Sequence, residues 1–279
     1  MIDLHLHTTA SDGRSTPDAL VAEAAAAGVR TIAVTDHDTV AGVAAVRSAA
    51  ARAGLAMLAG IEITAVHQGR DIHVLGYFID DTNPALLAFL ETQRASRRAR
   101  LDEIVHRLGA LGVPVDVAPF VAGATRESGR AVGRPAVAQA LVAAGHVRDV
   151  PEAFDRYLAE GRPAFAPRVG PSPRIVIDEI GRAGGVASLA HPGKLGDDEL
   201  VGALIGDGLD AIEVYHPDHD EPAIARYRAV AIANDLLVTG GSDYHGPGSG
   251  RSAALGQVGL PAIEFARLAG RARDGRGRM

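Results

Sequence analysis

The sequence predicts an α/β protein of parallel strands with helical crossovers, interrupted by an inserted helical segment. Two observations carry this expectation. Short β-branched runs alternate with Ala-rich stretches over residues 1–92 and again from 166 to 269, and between 93 and 165 helix-like segments replace the alternation. The first strands are expected at 2–6, 31–35, 56–61 and 72–78, with helices at 17–27 and 40–53 between them. Helices at 93–111, 135–144 and 151–158 make up the insert. The pattern then resumes with strands at 185–190, 211–215, 236–239 and 255–260. Gly28, Gly54 and Gly184 fall where helices should end, a position that suits a residue tolerant of positive φ. The tail 270–279, with four Arg and three Gly, is expected to fray.

Composition narrows the class. The chain has 279 residues, 47% apolar, 22% charged, with a formal net charge of −6, which suits one barrel-sized domain plus an insertion. No apolar run approaches the roughly 18 to 20 residues needed to cross a bilayer, and the N-terminus has neither a basic nor an apolar leader region, so a cytoplasmic protein without membrane partners is expected. With no cysteine, a disulfide framework, a thiolate nucleophile and a Cys-based zinc site are excluded. Residues 93–168 hold 12 Arg and 8 acids, a local charge of +4 on an otherwise acidic body. A solvated face accounts for Arg94, Arg97 and Arg98 as well as an anion site does.

The 11 His decide the chemistry. Nearly every strand-like run ends in His, Asp or Glu: His5 and His7, then Asp36 and His37, Glu62, His191, Glu213, and the pair Asp243 and His245, with His73 carried on the fourth run. In a barrel of parallel strands such ends meet at one mouth. His5 and His7 lie two apart and share a face of an extended strand. Imidazoles mixed with carboxylates suit Mn²⁺, Fe²⁺ or Zn²⁺, and so many candidates exceed what one centre uses. His67, His106 and His146 lack this context.

The segments Asp3-Leu4-His5-Leu6-His7, Ser11-Asp12-Gly13, Thr35-Asp36-His37-Asp38, Gly60-Ile61-Glu62, His73-Val74-Leu75-Gly76-Tyr77, Ala190-His191-Pro192, Glu213-Val214-Tyr215-His216-Pro217 and Gly241-Ser242-Asp243-Tyr244-His245-Gly246 together resemble the polymerase and histidinol phosphatase (PHP) domain family, in that family's order. The resemblance implies a distorted (β/α)7 TIM-like barrel with a trinuclear metal centre. It also implies a stand-alone member with a helical insert, similar to bacterial phosphoesterases acting on nucleoside 3′,5′-bisphosphates and on short RNA. Carried over by residue, one ion takes His5, His7, Glu62 and Asp243. A second, sharing Glu62, takes His73 and His191, and a third takes Asp12, His37 and His245. Asp36 and Asp38 are expected to orient imidazoles, with helix capping an alternative for Asp38.

The expected chemistry is hydrolysis of a phosphomonoester by hydroxide held between three divalent ions, manganese foremost, with iron or zinc as alternatives. Lys194, Arg134 and Arg130 are expected to bind substrate. Arg134 opens a helix at Gly133-Arg134-Pro135, where free N–H groups favour a phosphate; Ala136 stands where relatives commonly have His, and Arg130 is expected to compensate. His219, or else His216, is expected to protonate the leaving oxygen. The expected substrate is a small anionic nucleotide, best the 3′-phosphate of a nucleoside 3′,5′-bisphosphate. The alternatives are 5′-to-3′ trimming of short 5′-phosphorylated RNA, histidinol-phosphate phosphatase, and a non-catalytic module; an acidic body disfavours long nucleic acid.

Overall fold

The computed structural model describes residues 1–124, 128–249 and 255–276, with the side chains of 273–276 left aside. Seven strands form one curled sheet in the order β1 to β7: β1 (Ile2–Leu6), β2 (Thr31–Val34), β3 (Ala56–His67), β4 (Arg70–Tyr77), β5 (Val186–Leu189), β6 (Ala211–Tyr215) and β7 (Leu237–Gly240). Helices α1 (Pro17–Ala26) and α2 (Val43–Ala53) cross between the first three strands. Tyr244, just beyond β7, brings the curl round to its start: its N–H donates to the His5 carbonyl and its carbonyl accepts from the His7 N–H. This is the distorted barrel that the sequence predicts.

Two features of the sheet differ from expectation. The strands are not all parallel, because β4 runs antiparallel to both β3 and β5. No helix separates β3 from β4. Their two-residue link, Gln68-Gly69, has positive φ at both positions (49° and 81°), the geometry of a tight hairpin. The second difference is that 255–260 is turn and irregular chain rather than a strand. Segment 241–244 already occupies the free edge of β1, leaving Leu260 a single backbone bond to the Ile2 carbonyl.

The helical segment does not start at a break between elements. Helix α3 is one continuous element from Pro84 to Ala110, so the expected junction at 92/93 falls inside it. Asn83 caps it, its side chain accepting from the Ala85 and Leu86 N–H groups, and Pro84 supplies the preset first turn. Leu86 and Leu90 pack into the barrel core, whereas Leu101, Ile104 and Leu108 belong to a separate apolar cluster. That cluster is completed by α5 (Arg134–Ala143) and by α6 (Val150–Ala153), which runs on as a π-helical turn, Phe154–Leu158; the short α4 is Ala118–Val121. After the insert, α7 (Pro173–Arg182), α8 (Asp198–Gly206) and α9 (Glu221–Ala233) flank β5 to β7. Helix α10 spans Ala262–Arg276, so 270–276 is helical rather than frayed, and 277–279 lie outside the described residues.

Barrel and insert are tied at Asp38. Its carboxylate is fully buried, accepts from the Thr64 N–H at 2.9 Å, and pairs with Arg97 from α3 and with Arg168 at 3.3 Å. Asp38 therefore orients no imidazole and caps no helix. Burial opposes its ionisation, but the Arg97 and Arg168 charges win and hold it at about 2. The group is depressed, so its contribution, about 2.5 kcal/mol for this shift, is present above pH 3.8 and lost as pH falls through 2. In urea unfolding, Asp38→Asn should be at least that much less stable at pH 7 and should lose less stability than the parent between pH 4 and 2. A parallel acid dependence in both proteins would show that the clamp is idle.

Candidate metal centre

β1 reads Ile-Asp-Leu-His-Leu followed by His7. Its alternation sends Leu4 and Leu6 into apolar clusters and Asp3, His5 and His7 to the other face. His5 and His7 are both fully buried. Glu62 meets them from β3, in mid-strand rather than at its end: β3 continues five residues to His67 because β4 pairs with that extension. Since β4 runs back down from the mouth, it presents His73 near its start, opposite Thr64.

Glu62, 1% exposed, is the hub. Its Oε2 lies 3.3 Å from His5 Nε2, 3.2 Å from His7 Nε2 and 3.2 Å from His37 Nδ1; its Oε1 lies 2.7 Å from His73 Nδ1 and 3.2 Å from His191 Nε2. Asp243 Oδ1 stands 3.4 and 3.3 Å from the same His5 and His7 nitrogens. On the other flank, Asp12 Oδ1 is 3.2 Å from His245 Nε2 and Asp12 Oδ2 is 3.8 Å from His37 Nε2. Three overlapping ligand sets result: His5, His7, Glu62 and Asp243; His37, Glu62 and His73; and His7, Asp12, His37 and His245. All nine side chains expected to gather do gather. His37 faces two sets through its two nitrogens.

The donor atoms fit cations. Four ligands at about 2.1 Å from one ion lie about 3.4 Å apart, close to the separations in the first set. Buried atoms without a hydrogen-bond partner include both nitrogens of His7, His37 Nδ1, His73 Nδ1, His245 Nε2 and Asp12 Oδ1. Leaving such atoms unpaired costs about 1 to 3 kcal/mol each, which a bound cation offsets. Several second nitrogens are already committed in ways that turn a lone pair inward: His5 Nδ1 donates to Glu213 at 2.9 Å and His245 Nδ1 to the Asp243 carbonyl at 2.8 Å. Burial would raise the Glu213 carboxyl, but His5 holds it at about 2. Glu213 also accepts the His191 N–H at 2.7 Å. It sits in mid-strand on β6 as Glu62 does on β3, and only its partners separate an orienting role from a ligand.

The remaining expected residues divide. Asp36 takes its bonds from Thr8 and Ser11, not from an imidazole; it shapes the 8–11 loop. His219 has no nitrogen to spare as a proton donor, because Nδ1 donates to the Val214 carbonyl at 2.8 Å and Nε2 accepts from the Gly193 N–H at 3.0 Å. A Cβ at Gly193 would meet that ring at 2.7 Å, so the ring seats the turn following His191. His216 accepts from the Asp218 N–H through Nδ1 and turns Nε2 toward Asp243 Oδ2 at 3.5 Å. Lys194 pairs with the same oxygen at 3.0 Å and with Asp218 at 3.3 Å, bracing Asp243 rather than reaching into open space.

Arg134 lies across the mouth in a pocket of about 200 Å³ that also takes in Asp12, His37 and His73. Of its companions there, Arg97 is the one the sequence left open between a solvated face and an anion site, while Arg100 and Arg168 were not singled out. The signal for Arg97 and Arg100 was the run of Arg on one helix, which a solvated face explains equally well until burial is known; their side chains are in fact 10% exposed, and Arg168 lies outside any helix. Arg130 lies outside this pocket, its guanidinium donating to the Thr9 and Ala122 carbonyls.

A buried constellation of imidazoles and carboxylates at the mouth of such a barrel defines a metal-dependent hydrolase. Residues 3–114 match the PHP domain, and the chain belongs to the PHP family of metal-dependent phosphoesterases, hydrolases acting on ester bonds. It is 37% identical to the 5′-3′ exoribonuclease Rnm of Escherichia coli, over 88% of this chain and 85% of that one. It is 34% identical to the 3′,5′-nucleoside bisphosphate phosphatase of Chromobacterium violaceum, over 89% and 88%. A metal-dependent phosphoesterase structure from Bifidobacterium adolescentis superposes with a TM-score of 0.86 at 35% identity, covering 96% of this chain and 95% of that one.

The charges in the cluster predict proton release on metal uptake. Burial favours a neutral His7, but the Asp243 and Glu62 carboxylates close to its Nε2, together with the Asp12 charge, push it up to about 9. Without cations it carries a proton at pH 7. Titrating Mn²⁺ into chelator-stripped protein at pH 7, in buffers of different ionisation enthalpy, should therefore reveal net proton release. Uptake with no proton exchange would contradict this charge state.

Proposed function

We propose that the protein hydrolyses the 3′-phosphate of nucleoside 3′,5′-bisphosphates, yielding a nucleoside 5′-phosphate and inorganic phosphate. One observation carries the reading. Four guanidinium groups, Arg97, Arg100, Arg134 and Arg168, share two carboxylates, Asp38 and Asp71, beside the ligand cluster. The formal excess of two positive charges matches a terminal phosphate dianion, and the same pocket opens on His37 and His73. A nucleoside carrying two phosphates spans such a pair of sites. Histidinol phosphate would instead turn an ammonium toward the arginines. The helical segment 93–165, treated as a subdomain, supplies three of those arginines.

The nine clustered side chains would hold the ions as three sets: His5, His7, Glu62 and Asp243; His73 and His191 with Glu62 shared; and Asp12, His37 and His245. Manganese, iron and zinc all suit this donor chemistry. Bound there, divalent ions supply charge for the reacting phosphate and activation of water. The chain does the rest. Glu213 fixes the His5 ring, and Lys194 with His216 fixes Asp243. Arg134 is stacked 5.7 Å from the Phe154 ring, and Arg100 5.7 Å from Phe165, so both cations are preset for the 5′-phosphate. Anchoring that end fixes where the 3′-ester lies, converting binding energy into orientation.

Phosphate release from adenosine 3′,5′-bisphosphate, compared between Mn²⁺-loaded and chelator-stripped protein with histidinol phosphate alongside, tests the substrate. Rapid metal-dependent release from the bisphosphate alone is expected, and silence on both with metal bound would return the chain to a non-catalytic role. Arg134→Ala should raise KM for the bisphosphate at least tenfold, as loss of a charged hydrogen bond implies, and affect adenosine 3′-phosphate much less. Equal effects on the two would remove Arg134 from 5′-phosphate recognition.

A further inference from the structure

We propose that Arg130 is a positioning residue for the third ligand set: with its neighbours Gly129 and Ala131 it forms a strap from the insert that holds the turn carrying Asp12, and so sets the affinity for the third divalent ion. This rests on the reading that Asp12, His37 and His245 hold an ion of their own. The ligands are not all secured in the same way. His5 lies on β1, Glu62 on β3 and His73 on β4, inside the hydrogen-bonded sheet. His37, just beyond β2, is bracketed by Asp36 and Asp38, whose backbones bond to that of Glu62. Asp12 is carried instead by the turn 9–12, beyond the end of β1, and its side chain is 16% exposed where that of Glu62 is 1%. Its two oxygens stand 3.2 Å from His245 Nε2 and 3.8 Å from His37 Nε2, separations that hold only while the turn holds.

The turn is gripped from two sides. On the barrel side, the Asp36 carboxylate accepts from the Thr8 N–H at 2.8 Å and from the Thr8 and Ser11 hydroxyls at 2.7 Å each. On the insert side, Arg130 Nε donates to the Thr9 carbonyl at 2.8 Å and the Ala131 N–H donates to the Ala10 carbonyl at 3.0 Å. The strap is fastened in turn to the chain around His37. The Thr39 hydroxyl donates to the Gly129 carbonyl. Arg97, paired with Asp38, donates through Nη1 to the Val132 carbonyl at 3.3 Å. One short segment thus joins the two loops that carry Asp12 and His37. The half-buried Arg130 guanidinium also donates to the Ala122 carbonyl at 3.0 Å, so it is spread over main-chain oxygens of turn and insert alike. A charged donor makes the stronger kind of hydrogen bond to such an oxygen.

The consequence is selective. Groups that orient a ligand are worth about 10- to 100-fold in metal affinity. Arg130 acts one step further back, on the backbone of the turn, so the lower end of that range applies, and to one ion only. The other two sets draw on β1, β3 and β4 and on His191 and Asp243, just beyond β5 and β7. The insert therefore does two things at the mouth: its arginines face the anion, and its strap completes the cation site at Asp12.

The test is Mn²⁺ binding to chelator-stripped protein, by equilibrium dialysis with metal analysis, a result that does not depend on the substrate. The parent should bind three ions. Arg130→Ala should weaken one of them about tenfold and leave the other two unchanged. Arg130→Lys, which can reach one carbonyl but not both, should fall between. Arg162→Ala, an exposed insert arginine paired with Asp155, should match the parent. Asp12→Asn should weaken the same ion, and adding Arg130→Ala to it should change Mn²⁺ binding no further, as expected of a residue that acts through Asp12. In turnover of adenosine 3′,5′-bisphosphate, the Mn²⁺ concentration giving half-maximal kcat should rise about tenfold in Arg130→Ala, while KM at saturating Mn²⁺ stays within about twofold. Thermal midpoints check that the variants fold. Three ions bound with parental affinity by Arg130→Ala, or additive losses with Asp12→Asn, overturn the strap. A raised KM at saturating Mn²⁺ overturns it too and makes Arg130 a substrate contact. A parent that binds fewer than three ions overturns the three-set reading beneath it.

Discussion

A single buried carboxylate organises this protein. Glu62 lies within 2.7 to 3.3 Å of five imidazoles, three against one oxygen and two against the other. Burial alone would raise its pKa, but His37, His73 and His5 hold it well below the usual carboxylate range. A buried charge persists only when its partners are fixed, and here they come from four strand-loop units far apart in sequence. The barrel's register is therefore tied to one side chain. Glu62 is tied in turn by its backbone, which accepts from the Asp38 N–H at 2.8 Å and donates to the Asp36 carbonyl at 3.3 Å.

The residues after β2 link two chemistries within three positions. Asp36 shapes the loop that carries Asp12, His37 faces the ligand cluster, and Asp38 holds Arg97 of the insert and Arg168 just beyond it. Backbone strain gathers at the same place: Asp38, His191 and Asp243 all have positive φ, of 50°, 29° and 50°. Such conformations cost of order 1 to 3 kcal/mol each and persist where surrounding bonds over-determine them. The Glu213 bond to the His191 N–H, and the Lys194 and His216 contacts to Asp243, are the bonds that do so here.

Charge separation across the mouth follows from the same layout. Acidic ligands line the barrel side and guanidinium groups line the insert side, so one cleft presents a place for cations beside a place for an anion. Asp71, at the start of β4, sits between Arg100, Arg134 and Arg168 and keeps the arginines apart without neutralising them.

The sequence by itself determined the fold class and eight of the nine clustered side chains, because strand alternation and strand-end placement are local properties that periodicity reports; Asp12, in a turn, came only with the family resemblance, as did the separation of the nine from Asp36 and Glu213. His5 and His7 on one face, or Asp243 and His245 beyond one strand, need no long-range information. What the tertiary structure alone decided was direction and commitment. Whether β4 runs up or down depends on a two-residue turn whose partner strand is eight pairs long, and the start of α3 depends on an Asn83 cap outside its Arg-rich stretch. His219 as seat of a turn, Lys194 as brace and Arg97 as clamp are set by partners up to 59 residues away. A side chain's type fixes what bonds it can make; which bond it does make depends on what packing brings within 3 Å.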